Sequence, residues 1–282
     1  MTGRSAHPDP RVHAYRGDLA DIDLADRLFA PHYARAESCA LIAASAMVRA
    51  SPSHTGPAVT QLLRGEGFEL LDRAGGWAWG RCTHDNYVGY VPDAVLSSVA
   101  TPDHRVTMPS ALLFAEPDIK SPVRGNWPIG ARFAAVEAGA FLDTGEGFIH
   151  SRHAASLNKV EPDAAAVAER LIGSPYLWGG RGGGGIDCSG LIQLALSFAG
   201  VDAPRDSDQQ RETLGTALAD DDTLRRSDLV FFPGHVAMML DATRIIHANA
   251  FWMAVAVEPL ADLVARLAPD HARPILARRR IE

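Results

Sequence analysis

Cys188 stands where a nucleophile would be made. It follows the glycine-rich run Gly179-Gly180-Arg181-Gly182-Gly183-Gly184-Gly185-Ile186-Asp187 and opens an apolar stretch that reads as a buried helix. A thiol in the first turn of a helix meets the positive end of the macrodipole, which favours the thiolate and predicts a pKa below the free value of about 8.5. Downstream, Gly234-His235-Val236-Ala237 and Ile245-Ile246-His247-Ala248 carry two imidazoles on apolar, strand-like runs. Such a set performs acyl transfer. The thiolate attacks an amide carbonyl, one imidazole carries the proton to the leaving amine, and a second polar group fixes the tautomer of that imidazole. A one-residue slip in strand pairing would turn one ring to the opposite face, so spacing alone leaves open whether both face Cys188.

Other chemistries fit these residues less well. A Cys-His-His set also suits zinc, but structural zinc sites show closely spaced ligand pairs and a fourth ligand, whereas these three residues are far apart. The glycines are not followed by Gly-Lys-Ser or Gly-Lys-Thr, so the loop reads as room for substrate backbone rather than as a phosphate cradle. Neither a metal nor a cofactor is expected. Asp187 reads as a helix N-cap and, beside the nucleophile, as a carboxylate that could hold a cationic group of the substrate. Cys39 and Cys82 have no such company and read as structural.

At 282 residues and 47% hydrophobic content the chain is long enough for two or three small domains with cores of their own. A net charge of −7, with 27 basic residues scattered along the sequence, argues against a nucleic-acid or anionic-membrane surface. The run Arg278-Arg279-Arg280 reads as an exposed strand edge or tail. The N-terminal stretch to Asp18 lacks the apolar core of a signal peptide, and no run approaches the roughly 18 apolar residues of a membrane span. Three widely spaced cysteines suit a reducing compartment, so a cytoplasmic protein is expected.

The elements that must position the chemistry fall into four segments. Residues 1–40 read as an arm with an amphipathic helix over Leu19 to Phe29, its face formed by Ile22, Leu24, Leu28 and Phe29. Residues 41–100 show short apolar runs broken by turn residues, the pattern of a small β-barrel. Residues 101–160 repeat that grammar: Gly147-Phe148-Ile149-His150 before Ala154 echoes Gly89-Tyr90-Val91-Pro92 before Ala94. In residues 161–282, Glu161-Pro162-Asp163 opens a helix through Ile172 with Pro at its first position, and a core helix runs from Cys188 to Gly200. Strands are expected at Asp228 to Phe232, His235 to Leu240 and Arg244 to Ala248, an α+β arrangement.

Four motifs in order, Pro175-Tyr176-Leu177-Trp178-Gly179-Gly180, Asp187-Cys188-Ser189-Gly190-Leu191, Gly234-His235-Val236 and Ile246-His247-Ala248, resemble those of the NlpC/P60 cysteine peptidases. The resemblance implies a papain-like fold for residues 161–282, with Cys188 as nucleophile, His235 as base and His247 as orienter. Tyr176, which taken alone reads as a core aromatic, would then donate to the oxyanion. Residues 41–100, through Leu62-Leu63-Arg64-Gly65-Glu66 and Asp85-Asn86-Tyr87-Val88-Gly89-Tyr90, resemble a bacterial SH3 domain, and residues 101–160 resemble it weakly.

In members that carry SH3 domains, the position of Asp187 binds the free amine of an N-terminal L-alanine, and a Glu and a Tyr of the first SH3 domain close the pocket. Glu66 and Tyr87 are the candidates here, with Tyr90 competing. Ser189 is counted among the substrate-binding residues. In Pro204-Arg205-Asp206-Ser207, Asp206 and Ser207 resemble residues lining the groove for the D-glutamyl carboxylate, and Arg205 brings a charge of the right sign. The resemblance thus implies a γ-D-glutamyl-L-diamino-acid endopeptidase of murein peptide recycling, similar to dipeptidyl-peptidase VI. Its partner would be a murein-derived peptide, with no nucleic acid and no membrane. The alternatives are an exported peptidoglycan hydrolase anchored by its SH3 domains, a non-catalytic wall-peptide-binding module, and a thiol enzyme transferring the acyl group to an amine.

Overall fold

The computed structural model describes residues 8–98 and 101–281. Residues 1–7 of the expected arm, the expected boundary at 99–100 and residue 282 lie outside the described residues. Among the described residues no helix is long and apolar enough to cross a membrane.

The arm does not form the expected helix. Leu19–Asp21 is a short strand paired in parallel with His32–Ala34, and only a single 3₁₀ turn, Ile22–Leu24, lies between them. Asp21, Asp23 and Asp26 interrupt the apolar positions, and Asp is a poor helix-interior residue because its carboxylate competes for backbone donors. Here Asp21 takes the Asp23 N–H at 3.1 Å. The arm is fixed to the next unit by Ala14, which packs with Leu71 and Trp79, and by the Arg16 guanidinium, 4.6 Å above the Trp79 ring.

Residues 37–97 form one antiparallel sheet in the order Ala58–Leu63, Ser45–Arg49, Val88–Pro92, Trp77–Cys82, Gly67–Ala74, Glu37–Leu41, Leu96–Ser97. Alternate residues, including Leu41, Val48, Leu62, Phe68, Ala78 and Val91, enclose its core together with Cys39 and Cys82. The Gly75-Gly76 turn between two of these strands has φ of 59° and 80°, the left-handed pair that a tight hairpin requires. The expected closed barrel is not formed among the described residues: the sheet ends at Ala58–Leu63 on one side and Leu96–Ser97 on the other.

Residues 104–156 divide their strands between a five-stranded and a three-stranded sheet around a separate core of Val106, Leu113, Trp127, Phe133, Leu142 and Ile149. The echo read from the sequence has a structural counterpart. Both units finish as strand, 3₁₀ turn and strand, at Val88–Pro92, Asp93–Val95, Leu96–Ser97 and at Phe148–His150, Ser151–His153, Ala154–Ser156.

The remaining residues build a six-stranded antiparallel sheet in the order Thr216–Ala217, Ala277–Arg280, Leu229–Phe232, His235–Met239, Arg244–Asn249, Ala254–Pro259. Four helices accompany it: α1 (Ala164–Glu169), α2 (Cys188–Phe198), α3 (Ser207–Thr213) and α4 (Leu260–Leu267). Helix α1 is shorter than expected and excludes Pro162, because Asp163 caps it by accepting the Ala166 N–H. Arg278 to Arg280 are neither tail nor outer edge but lie in a strand paired on both sides.

The strands alternate faces. Leu229, Phe231, Val236, Met238, Ile246 and Ala248 pack on α2, while Val230, Phe232, Ala237, Met239 and Ile245 pack on the opposite side with Leu263 of α4. Leu63 and Ile129, from the two preceding units, join the α2 core, so all three units meet around the helix that carries Cys188.

Candidate active site

Cys188 is the first residue of α2 and is 7% exposed. Asp187 caps the helix, its Oδ1 accepting the Gly190 N–H at 2.8 Å, while its Oδ2 accepts the Gly179 N–H at 2.8 Å and closes the glycine loop onto the helix. Gly179 has φ of 78°, open to glycine without strain, and a Cβ there would press on Ala58 and Met47 of the first sheet. Cys188 lines a cavity of about 360 Å³ with Tyr87, Trp178, Asp187, Ser189, Asp206, Ser207 and Gly234. That volume suits a short peptide or drug-sized ligand.

The strand register answers the question left open by spacing. His235 and His247 have the same parity on neighbouring strands whose register pairs Met239 with Ile245, so both rings fall on one face. Their centroids are 5.1 Å apart and His235 Nε2 lies 2.9 Å from His247 Nδ1. The Val236 N–H, next to His235, meets the Cys188 sulfur and, with the Ser189 N–H, favours its anion. His235 Nδ1 is the ring nitrogen left for the thiol.

Burial and the neighbouring Asp187 nevertheless push the Cys188 thiol up to about 11, against the expectation from the helix dipole alone. Burial, with His247 adding, lowers His235 to about 3, and burial lowers His247 to about 4 although Glu258 opposes the shift. Neither a lone thiolate nor a lone imidazolium is favoured in this pocket. A proton moving from sulfur to His235 leaves the net charge at zero, so the two groups are suited to act as a pair.

These histidines tie stability to pH. Above the ordinary value of 6.5 both rings are neutral in the folded and unfolded chain. Below it the unfolded chain binds protons that the native rings refuse, so stability falls as pH falls, by up to about 1.4 kcal/mol per pH unit for each ring. Urea unfolding is expected to show this decline between about pH 6.5 and about pH 4.5, and a flat profile would mean that the rings are protonated in the native state.

The acidic candidates are already engaged. Arg205 grips Asp187 with both terminal nitrogens, at 3.0 and 2.6 Å, and also reaches Ser189 Oγ at 2.8 Å and Thr60 Oγ1 at 2.9 Å. Arg205 is 2% exposed, so its charge is committed to Asp187 rather than free for a substrate carboxylate. Glu66, expected to close the pocket, does not line the cavity. Its buried carboxylate accepts Arg181 Nη1 at 2.6 Å and the Leu63 N–H at 2.9 Å, and stays ionised, lowered to about 2 as the charges of Arg181 and His84 overcome burial.

Tyr87, by contrast, lines the cavity and donates its hydroxyl to Asp206 Oδ2 at 3.0 Å. Its rival Tyr90 packs with Trp79 beneath the arm. Tyr176 is half-buried against the α2 core, and burial with the nearby Cys188 raises its hydroxyl to about 12, keeping it a donor. Trp178 is 67% exposed and forms an outer wall.

Several site residues carried no sequence signal. Arg11 of the arm reaches Asp206 at 2.9 Å and Asp208 at 3.0 Å, tying the rim of the cavity to the arm. Gln61 brackets the glycine loop, accepting the N–H groups of Arg181 and Gly183 at 3.0 Å each and donating to the Gly183 carbonyl at 2.7 Å. Among the described residues no group of three His, Cys, Asp or Glu could hold a metal ion.

Known proteins share these features. Residues 173–263 match the NlpC/P60 family, and residues 48–96 match a bacterial dipeptidyl-peptidase SH3 domain. The chain is 27% identical over 235 residues to a γ-D-glutamyl-L-lysine dipeptidyl-peptidase of Bacillus cereus, covering 71% of this chain and 70% of that protein. It is 35% identical over 119 residues to dipeptidyl-peptidase 6 of Lysinibacillus sphaericus, covering 38% of this chain and 43% of that protein. A solved NlpC/P60 family protein from Bacillus cereus has the same fold, with a TM-score of 0.73 at 20% identity over 86% of this chain and 99% of that one. With its cysteine at the start of a core helix and its histidines on the adjoining sheet, residues 173–263 form an NlpC/P60 domain, preceded at residues 48–96 by a bacterial dipeptidyl-peptidase SH3 domain.

Proposed function

We propose that this protein is a cysteine endopeptidase that cuts murein peptides with a free N-terminal L-alanine between γ-D-glutamate and the diamino acid, meso-diaminopimelate or L-lysine. One observation carries the reading: Cys188 opens into a cavity whose walls come from both the NlpC/P60 and the SH3 domain. The names of the Bacillus and Lysinibacillus relatives support it. In the reaction the Cys188 proton passes to His235 Nδ1 as sulfur attacks the γ-carbonyl, and the Cys188 N–H and the Tyr176 hydroxyl receive the oxyanion. His235 then protonates the leaving amine, and water, deprotonated by the same ring, cleaves the thioester and restores the thiol.

The SH3 side of the cavity supplies specificity. Tyr87 lines it opposite Asp206 and Asp208, whose carboxylates are held by Arg11, and a substrate ammonium would share these carboxylates with that guanidinium. Asp187 and Ser189 sit beside them, and Ser207 faces the glutamyl part. Glu66 serves the wall through Arg181. This division of labour goes with an arm at 1–40, an SH3 domain at 41–100, a second, SH3-like spacer at 101–160 and a catalytic domain at 161–282. A free-amine requirement excludes wall strands whose alanine is substituted, which fits a recycling enzyme working on detached peptides in the cytoplasm.

Mass spectrometry of products from free L-Ala-γ-D-Glu-diaminopimelate, its N-acetyl form and intact sacculi tests the reading. Cleavage of the free peptide is expected, with N-acetylation lowering kcat/KM by at least about 10²-fold because the amide would lose the donors and the charge that the ammonium brings to the carboxylates. Equal rates on both peptides would refute the amine pocket. Release of fragments from sacculi would instead favour a wall hydrolase.

A further inference from the structure

The polar chain that begins at His235 does not end at His247. The strand Ala254–Pro259 pairs with Arg244–Asn249 so that Ile245 faces Glu258 and His247 faces Ala256, which puts Glu258 diagonal to His247 on one face. Glu258 Oε1 lies 3.0 Å from His247 Nε2, in a site where His247 is fully buried and Glu258 is 7% exposed. Arg266 of α4 holds the carboxylate at 3.0 and 2.5 Å, and the Trp252 indole N–H reaches it at 3.3 Å.

We propose that Glu258 is a positioning residue that keeps His247 in its Nε2–H tautomer, leaving Nδ1 as the acceptor for His235. The inference rests on the reading of Cys188 and His235 as nucleophile and base. Only one proton can lie between His235 Nε2 and His247 Nδ1 at 2.9 Å. When His235 takes the thiol proton on Nδ1, both its nitrogens carry hydrogen, so Nε2–H must donate and His247 Nδ1 must accept. A neutral imidazole accepts at Nδ1 only with its proton on Nε2, and an ionised carboxylate, which can only accept, stands against that nitrogen. The 3.0 Å approach lacks the alignment of a full hydrogen bond in the resting site, so the contact is electrostatic there.

The charged groups around this chain set opposite signs. Glu258 favours imidazolium at His235 and His247, and Arg266 disfavours it. Asp262, one turn before Arg266 on α4, favours the Arg266 charge, and Asp187 with Arg205 acts on Cys188. Removing Glu258 therefore makes proton uptake by His235 harder and raises the pH at which Cys188 becomes reactive, whereas removing the Arg266 charge lowers it. A merely structural role would move both variants the same way.

The test uses the full chain, and its two deciding readouts need no peptide substrate. The rate of Cys188 alkylation by iodoacetamide is followed against pH, with mass spectrometry to separate it from Cys39 and Cys82, and the ¹⁵N shifts of His247 report its tautomer. Glu258→Ala is expected to raise the alkylation midpoint, populate the Nδ1–H form and lower kcat/KM about tenfold to hundredfold, the range known for metal-bound histidines that lose an outer carboxylate. Arg266→Met is expected to lower the midpoint and keep the Nε2–H form. If Glu258→Ala does not fold, Glu258→Gln carries the same expected rise. Unchanged midpoint and tautomer in the Glu258 variant, or equal shifts in both variants, would overturn the proposal. Absence of peptide cleavage by the wild type, with these shifts present, would overturn the proposed peptidase and leave the Glu258 assignment standing.

Discussion

Cys188→Ala is expected to abolish hydrolysis of L-Ala-γ-D-Glu-diaminopimelate, by about 10⁴-fold or more, with the fold retained. The size of the effect follows from covalent catalysis. Without sulfur no acyl-enzyme forms, and His235 and the oxyanion donors can assist only direct attack by water. The fold survives because alanine has the highest helix propensity, removes one atom beside an open cavity and leaves the Asp187 cap in place. His235→Ala is expected to be nearly as damaging, and the double variant no worse than either single one, because residues acting as a unit are not additive. Turnover of the tripeptide, measured with circular dichroism as a check on folding, decides the matter. Retained turnover in Cys188→Ala would remove the thiol from the mechanism.

The second large effect is on stability. Arg181→Met is expected to destabilise the protein by about 3–5 kcal/mol, the cost of leaving a buried charge without its partner. Arg181 and Glu66 are 3% and 2% exposed. Beyond Glu66, the Arg181 guanidinium reaches the Gln61 carbonyl at 2.9 Å and Gln193 Oε1 on α2 at 2.6 Å. One side chain thus joins the SH3 sheet, the glycine loop and the helix that carries Cys188. Replacing both partners, in Arg181→Met with Glu66→Gln, is expected to recover a large part of the loss, since no unpaired charge then remains. Urea unfolding of the two single variants and the double variant gives the coupling directly. A loss below about 1 kcal/mol in Arg181→Met would mean that the pair is solvated and that Glu66 is free for other work.

Several elements of the fold were legible in advance for simple reasons. Short continuous apolar runs mark the strands around Leu229, Val236 and Ile246, and the longer, nearly all-apolar run after Cys188 marks a helix buried almost all round. The stretch from Leu19 to Phe29 misled because its apolar spacing is helical while its aspartates are not. Barrel closure was not legible either: it depends on the pairing of edge strands, and no local pattern records which strands end a sheet.

Residue types and their order could be read along the chain: a thiol at a helix start behind a glycine loop, two imidazoles on strands, and a carboxylate placed to cap the helix. Which charges pair with one another emerges only once the chain is packed. Asp187 belongs to Arg205, Glu66 to Arg181, and Glu258 stands behind His247 with Arg266 against it. With 27 basic and 34 acidic residues in the chain, many pairings are equally consistent with composition. Burial selects among them, because an ion removed from water must find a partner within a few ångströms, and that partner is chosen by packing across distant segments rather than by anything encoded nearby.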